Sequence, residues 1–179
     1  MPLAETMKLM KTSDGSDVFT ISENNLVFLV FLRHFGCVFC RESLVDLSKK
    51  MELFKSQNIT PVFVHMTDPS TAESFFKEYH WEHVIHVSDP ETRFYLAFGL
   101  VKGRFNQLFG LKTLVRGFEV AATKGIFPTL TTIGDGFQMP GIFLVHKGEI
   151  IKKFIHLSAA DVPPYLELAD CESCPGTSI

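Results

Sequence analysis

The sequence predicts an α/β fold in which a central mixed β-sheet is flanked by helices, with a helical insertion before a final β-hairpin. Three observations carry that expectation. Leu26 to Leu32 is a continuous apolar run rather than an alternating one, as a strand covered on both faces requires. A helical period follows it, with Leu44, Leu47, Met51 and Phe54 at three- and four-residue steps between Val38 and Lys55, and a second buried strand, Thr60 to Met66, comes next. Near the C-terminus, Ile142 to Val145 and Ile150 to Ile155 flank a turn at His146-Lys147-Gly148-Glu149, the pattern of a hairpin.

The other elements follow in chain order. The opening segment to about Met10 reads as a short helix, and Asp14-Gly15 as a turn ahead of a short strand from Val18 to Ile21. Asp68-Pro69-Ser70 offers an N-cap and a proline suited to a first turn, so a helix is expected from there to Tyr79. Val84 to Val87 reads as another strand, and Ser88-Asp89-Pro90-Glu91 repeats the helix-start signal before Phe94, Tyr95 and Phe98. From Arg104 to Thr123 the residues Phe105, Leu108, Leu111, Val115, Phe118 and Ala122 keep a helical period, although Gly103, Gly110 and Gly117 each weaken it by up to about 1 kcal/mol. Gly125 to Gln138 reads as a long loop, and Ala159 to Ala169 as a closing helix interrupted near its start by Pro163-Pro164. The whole chain, 1–179, is expected to form a single domain with its core at about 18–168, a helical insertion and loop at 104–138 and a flexible tail at 170–179.

Composition narrows the function. Eighteen of the aromatic residues are Phe, against three Tyr and one Trp, so most aromatic positions bury no polar atom. A net charge of −3 lacks the basic excess of a general nucleic-acid binder. The N-terminus has no basic stretch followed by an apolar one, and no run is long enough to span a membrane, so a cytoplasmic protein is expected. In a reducing compartment, cysteines are read as redox-active or metal-binding before structural.

The four cysteines form two pairs of identical spacing, Cys37-Val38-Phe39-Cys40 and Cys171-Glu172-Ser173-Cys174. The first pair stands at the carboxyl end of the first predicted strand, where a helix begins. Unpaired N–H groups and the positive end of the helix dipole there favour a thiolate at Cys37, and Arg33, His34 and Arg41 add positive charge nearby. Cys40, one helical turn on, is placed to attack an oxidised Cys37 and close a disulfide. A four-thiolate zinc site is the competing reading, although about 130 residues separate the pairs, far more than in a local zinc ribbon.

The blocks from Leu29 to Glu42, from Ser88 to Tyr95 with Gly99-Leu100, and from Gly141 to Val145 resemble the peroxiredoxin-like branch of the AhpC/TSA family. The resemblance covers about Val18 to Leu168. It implies a thioredoxin-like fold, a peroxidatic-type cysteine at Cys37, and peroxide or disulfide reduction driven by a dithiol donor. It also implies a proline with a cis peptide bond at Met139-Pro140, beside the cysteines. The chain departs from the family in having Val30 and His34 where typical peroxiredoxins carry a proline and, three residues before the cysteine, a Thr or Ser hydroxyl.

The expected activity is that of a thiol-dependent oxidoreductase with antioxidant function. Cys37 reduces a peroxide, Cys40 forms a redox-active disulfide with it, and a thioredoxin or glutaredoxin-like dithiol donor restores both. Arg33, His34, Arg41, Met139 and Pro140 support the site, and the tail cysteines Cys171 and Cys174 are a candidate relay. The alternatives are a thioredoxin-type protein disulfide reductase and a non-catalytic module holding zinc. No cofactor, metal, nucleic acid or membrane span is expected, and a homodimer is compatible with the sequence. His80, His83 and His86 share no single face, so they are read as separate histidines. The stretch from Lys102 to Lys124 holds five basic residues and one acidic residue, either a solvated helix face or a positive patch for an acidic reductase or a membrane surface. Phe35 and Phe39 are expected to line a pocket suited to an apolar hydroperoxide.

Overall fold

The computed structural model describes residues 1–127 and 134–170. The N-terminal helix α1 (Leu3–Leu9) is followed by α2 (Val18–Asn24), then β1 (Leu26–Phe31), α3 (Val38–Ser48), α4 (Met51–Ser56) and β2 (Ile59–His65). Next come α5 (Pro69–Glu78), β3 (Ile85–Ser88), α6 (Arg93–Ala97), α7 (Phe105–Phe109) and α8 (Leu111–Lys124). The hairpin of β4 (Gly141–His146) and β5 (Glu149–Ile155) precedes α9 (Tyr165–Ala169).

The strands form one mixed sheet in the order β3-β2-β1-β4-β5. Strands β1, β2 and β3 run parallel, while β4 pairs antiparallel with β1 and β5 antiparallel with β4. Every residue of central β1 is buried, which is why its sequence is continuously apolar. Phe28, Val30 and Leu32 face a core that includes Leu44, Leu47, Phe54 and both Cys37 and Cys40. Val27, Leu29 and Phe31 face the opposite layer, with Met7, Met10, Val62 and Tyr95.

Local chemistry explains where the elements depart from expectation. Val18 to Ile21 is helix, not strand, because the Asp17 carboxylate accepts the Thr20 N–H as an N-cap; a short apolar run cannot separate the two by periodicity. The helix expected from Val38 to Lys55 breaks at Lys49-Lys50, where the Lys50 N–H turns back to the Leu47 carbonyl. The Arg104 to Thr123 helix divides at Gly110, whose extended backbone starts α8. The closing helix is confined to Tyr165–Ala169. Pro163-Pro164 hold the preceding chain out of it, and Asp161 instead caps a turn by accepting the Leu157 and Ser158 N–H groups.

Of the two start signals, Asp68-Pro69 acts as read, while at α6 the N-cap is Thr92 and Asp89 serves from three residues upstream. Asp68 caps α5 through the Thr71 N–H with Pro69 in the first turn, and the buried Asp89 carboxylate accepts the N–H groups of Arg93, Phe94 and Tyr95 at the start of α6. That anchors Tyr95, whose hydroxyl lies 2.6 Å from the Leu32 carbonyl and 3.0 Å from that of Val64. The phenol thereby ties the exit of β1 to β2 immediately before the cysteine loop. Removing the hydroxyl in Tyr95→Phe is expected to cost about 1–2 kcal/mol, read as a lower urea midpoint with an unchanged slope. An unchanged midpoint would show that the clamp adds nothing.

Candidate active site

Strand β1 delivers the chain to the site, and α3 begins there. Leu32 still donates to the Val64 carbonyl, after which Arg33-His34-Phe35-Gly36 turn back, closed by the Cys37 N–H on the His34 carbonyl at 3.0 Å. Cys37 is the N-cap of α3 in an extended conformation, and Cys40 lies in its first turn. Both are free thiols, each 5 % exposed.

The surroundings divide the two sulfurs. The Cys40 thiol donates to the Cys37 sulfur and pulls its pKa below the ordinary thiol range; burial opposes this, while the Arg33 guanidinium and the N–H groups of Cys40 and Phe39 reinforce it. Cys40 is pushed the other way, by that same hydrogen bond, by burial and by the adjacent Cys37 charge. Arg33 serves both: its Nη1 lies 3.5 Å from Cys37 Sγ, and its backbone N–H lies 3.2 Å from Cys40 Sγ. The guanidinium is buried and donates through Nε (2.9 Å) and Nη2 to the Gly136 carbonyl, 103 positions along the chain.

The other expected supports behave differently. Burial, then the Arg33 charge, pushes the His34 pKa down to about 4, so at neutral pH it is an uncharged imidazole and adds no positive charge. Arg41 turns to the Phe35 carbonyl at 3.1 Å and the Phe127 carbonyl at 3.3 Å, with its guanidinium over the Phe75 ring, and so braces the loop. The Met139-Pro140 bond is trans, since no cis peptide bond occurs among the described residues. Met139 donates to the Val101 carbonyl and packs with Leu108 and Ala159, so the extended chain feeds straight into β4 and needs no cis turn. Pro140 remains beside the thiols as part of the cavity wall. Cys171 and Cys174 lie outside the described residues, and a zinc site using all four thiols would need them.

A cavity of about 30 Å³ opens onto the pair, lined by Arg33, Cys37, Cys40, Phe39, Pro140 and His156 among others. That volume holds a molecule the size of one or two waters. Phe39 lines it, but Phe35 is stacked on Phe75 at 4.0 Å inside the core, so the expected pocket between Phe35 and Phe39 is not formed.

Sequence reasoning missed His156 and Glu42. His156 donates to the Pro140 carbonyl while its buried Nδ1 is without a partner, and burial lowers its pKa to about 4. Buried Glu42 receives Arg116 at 2.7 Å and Lys124 at 2.8 Å from α8. A signal for the second existed in the eight-residue spacing of Arg116 and Lys124, which puts both on one helix face; His156 carried none. The basic stretch likewise is no free patch, because Lys102 pairs with Asp135, Lys112 with Asp161, and Arg116 and Lys124 with Glu42. Of the three spaced histidines, His86 turns inward to meet His65 at 2.9 Å, while His80 and His83 sit in left-handed turns.

A family model for the AhpC/TSA antioxidant enzyme matches residues 46–157, more than half of the chain. The chain belongs to the AhpC/TSA antioxidant enzyme family. It is 34 % identical over 138 residues to peroxiredoxin-like 2C of Bos taurus, covering 72 % of this chain and 58 % of that protein. This AhpC/TSA chain thus spans little more than half the length of that relative. It is 27 % identical over 173 residues to the prostamide/prostaglandin F synthase of Danio rerio, covering 92 % and 83 % of the two chains. Among solved structures, peroxiredoxin Q of Xanthomonas campestris superposes with a TM-score of 0.58 at 12 % identity over 84 % of this chain and 81 % of the other, a likeness of fold. The AhpC/TSA match begins after Cys37 and Cys40, so the roles of the thiols rest on their own geometry.

Two tests follow from these environments. Iodoacetamide alkylation of Cys37 should show its pH inflection below the ordinary thiol value of about 8.5, and Arg33→Gln or Cys40→Ala should move it upward. An inflection that neither variant moves would remove the assigned causes. Separately, His34, His65 and His156 ordinarily protonate near 6.5 but in the fold only near 4, 3 and 4, burial being the first cause in each. Between those values the unfolded chain binds protons that the folded chain refuses. Stability is therefore full above about pH 6.5 and falls as pH drops toward 4, which a series of urea midpoints would show.

Proposed function

We propose that the protein is a thiol-dependent oxidoreductase of peroxiredoxin type, with Cys37 as nucleophile and Cys40 as resolving thiol. The observation that carries this reading is the opposed polarisation of the buried pair: Cys37 favoured as thiolate beside Arg33, Cys40 favoured as thiol. The Cys37 thiolate attacks one oxygen of a peroxide, the O–O bond breaks, and the other oxygen leaves with the electron pair and takes up a proton. Cys37 becomes a sulfenic acid. The Cys40 sulfur then attacks Cys37 Sγ, gives up its proton, and displaces hydroxide that leaves as water, closing the disulfide. A thioredoxin or glutaredoxin-like dithiol takes the disulfide back to two thiols and is itself oxidised. Arg33 favours the first step by stabilising the thiolate and by presenting N–H donors where negative charge develops.

The substrate class follows from access. A 30 Å³ cavity admits a small peroxide, and cysteines only 5 % exposed are poorly placed to meet a disulfide carried on a folded protein. The trans Met139-Pro140 bond also removes the feature expected beside a docked substrate chain.

The test uses Trp81, whose indole N–H donates to the Leu44 carbonyl of α3 and so reports on that helix. In a chain with Cys171 and Cys174 replaced by Ser, stoichiometric hydrogen peroxide should change Trp81 fluorescence and consume two thiols. Cys40→Ser should oxidise at a similar rate but stop at a dimedone-reactive sulfenic acid, while Cys37→Ser should lose at least about a hundredfold in rate. If Cys37 oxidises no faster than a free thiol at equal thiolate concentration, the peroxidase reading fails and disulfide reduction takes its place.

A further inference from the structure

Helix α8 is amphipathic, yet it packs with its apolar face outward. Its inner face carries Thr113 and Val120, both buried, with Arg116 and Lys124 on Glu42, Lys124 also lying 2.9 Å from Asp46. Gly117 lies on that side too, where an added Cβ would meet Val38 and Phe39 of α3 at 3.9 Å. The outer face carries Leu111, Leu114, Val115 and Phe118 at helical spacing, and these remain 78, 61, 61 and 78 % exposed. An apolar stripe at this spacing ordinarily turns toward a core. Here ion pairs hold the helix to α3, and the stripe is left over.

The charges on its flank point to what covers it. Fully exposed, side chains of this kind present about 150–200 Å² each, so the four leave roughly 450 Å², the size of the largest patch on a typical monomer. Lys112 and Glu119 are seven residues apart on one flank of that stripe and of opposite charge; although Lys112 pairs with Asp161 and Glu119 with Arg116 in their own chain, they stay 73 % and 61 % exposed and can be shared with a partner. When a helix pairs antiparallel with its own copy about a perpendicular two-fold axis, the same flank of each meets, in reversed order. With the axis passing between Val115 and Arg116, Lys112 of each copy stands opposite Glu119 of the other. An anionic lipid surface fits less well, because Arg116 and Lys124 point inward and Glu119 outward.

We propose that α8 is a self-association surface: two copies of the chain pair antiparallel through Leu111, Leu114, Val115 and Phe118, with two reciprocal Lys112–Glu119 contacts. The area, about 900 Å² over both copies before the rim is counted, is below the roughly 1,200 Å² of stable specific interfaces and in the range of weak, transient ones, so the dimer dissociates on dilution.

Sedimentation equilibrium of the full, reduced chain tests this. The mass should rise from 20.2 kDa toward twice that value across a concentration series. Phe118→Glu should hold the chain monomeric with its circular dichroism unchanged, since the position is exposed. Lys112→Glu and Glu119→Lys should each weaken association by about tenfold, and the double exchange should restore it. Lys112→Glu loses its own-chain partner Asp161, Glu119→Lys loses Arg116, and the double exchange loses both, so recovery above either single variant reports the contact between copies. A monomer at every concentration overturns the proposal, and so does a dimer that survives Phe118→Glu or a double exchange that restores nothing. Binding of a monomeric chain to phosphatidylcholine vesicles would reassign the face to lipid.

Discussion

A buried guanidinium is costly unless anions and acceptors surround it, and the site is organised around how Arg33 meets that cost. The Gly136 carbonyl takes two of its N–H groups and Cys37 faces a third, while its backbone N–H holds Cys40. Removing the arginine side chain therefore does more than delete a charge: it frees the loop at Gly136 and strips a stabilising partner from Cys37, while the backbone N–H that holds Cys40 stays. The dependence also runs in reverse. The Cys37 thiolate is an anion facing this cation, so the protonation state of the sulfur and the retention of a desolvated arginine are one problem with one solution.

The second constraint concerns how the insertion is attached. Helix α8 approaches α3 with Arg116 and Lys124 against Glu42 and Asp46, directly behind the turn that holds the cysteines. Glu42 is itself buried, so the pairing is more exacting than a surface salt bridge, because losing either cation strands part of a carboxylate away from water. Polar attachment on the inside leaves the apolar residues of the helix on the outside. The two faces of α8 thus follow from one choice of what binds it to the body.

What was legible in the sequence was what short-range physics dictates. The continuous run of β1, the Asp68 and Asp89 start signals, and the placing of Cys37 at a helix entrance all depend on residues close in the chain. The errors have the same explanation. Asp17 capping Thr20 is also local, but four apolar or β-branched residues beside it fit a strand equally well. The partner of Arg33 lies 103 residues away in a glycine-rich loop, and no local pattern points to it. The charge of His34 was misjudged because burial, a tertiary property, decides it. The basic stretch looked like a surface patch because its acidic partners Glu42, Asp46, Asp135 and Asp161 come from three other parts of the chain.

The spacing of the thiols carries more than proximity. Cys37 is the N-cap of α3 and Cys40 the third residue within it, the two positions whose side chains in a capping box each reach toward the other's backbone N–H. In that motif the side chains converge on the open end of the helix, where N–H groups lack intrahelical partners. Thiols in these positions inherit that convergence, which is why the Cys40 thiol already donates to the Cys37 sulfur in the reduced protein. On the proposed mechanism, a disulfide would close between two residues of the same helix entrance, the N-cap and the first turn. The proposed disulfide would replace a thiolate by a neutral bond beside a buried guanidinium, leaving the Gly136 carbonyl as the acceptor of its N–H groups. The helix entrance and the arginine thus divide the work: the first brings the sulfurs together, and the second sets which of them favours the charge.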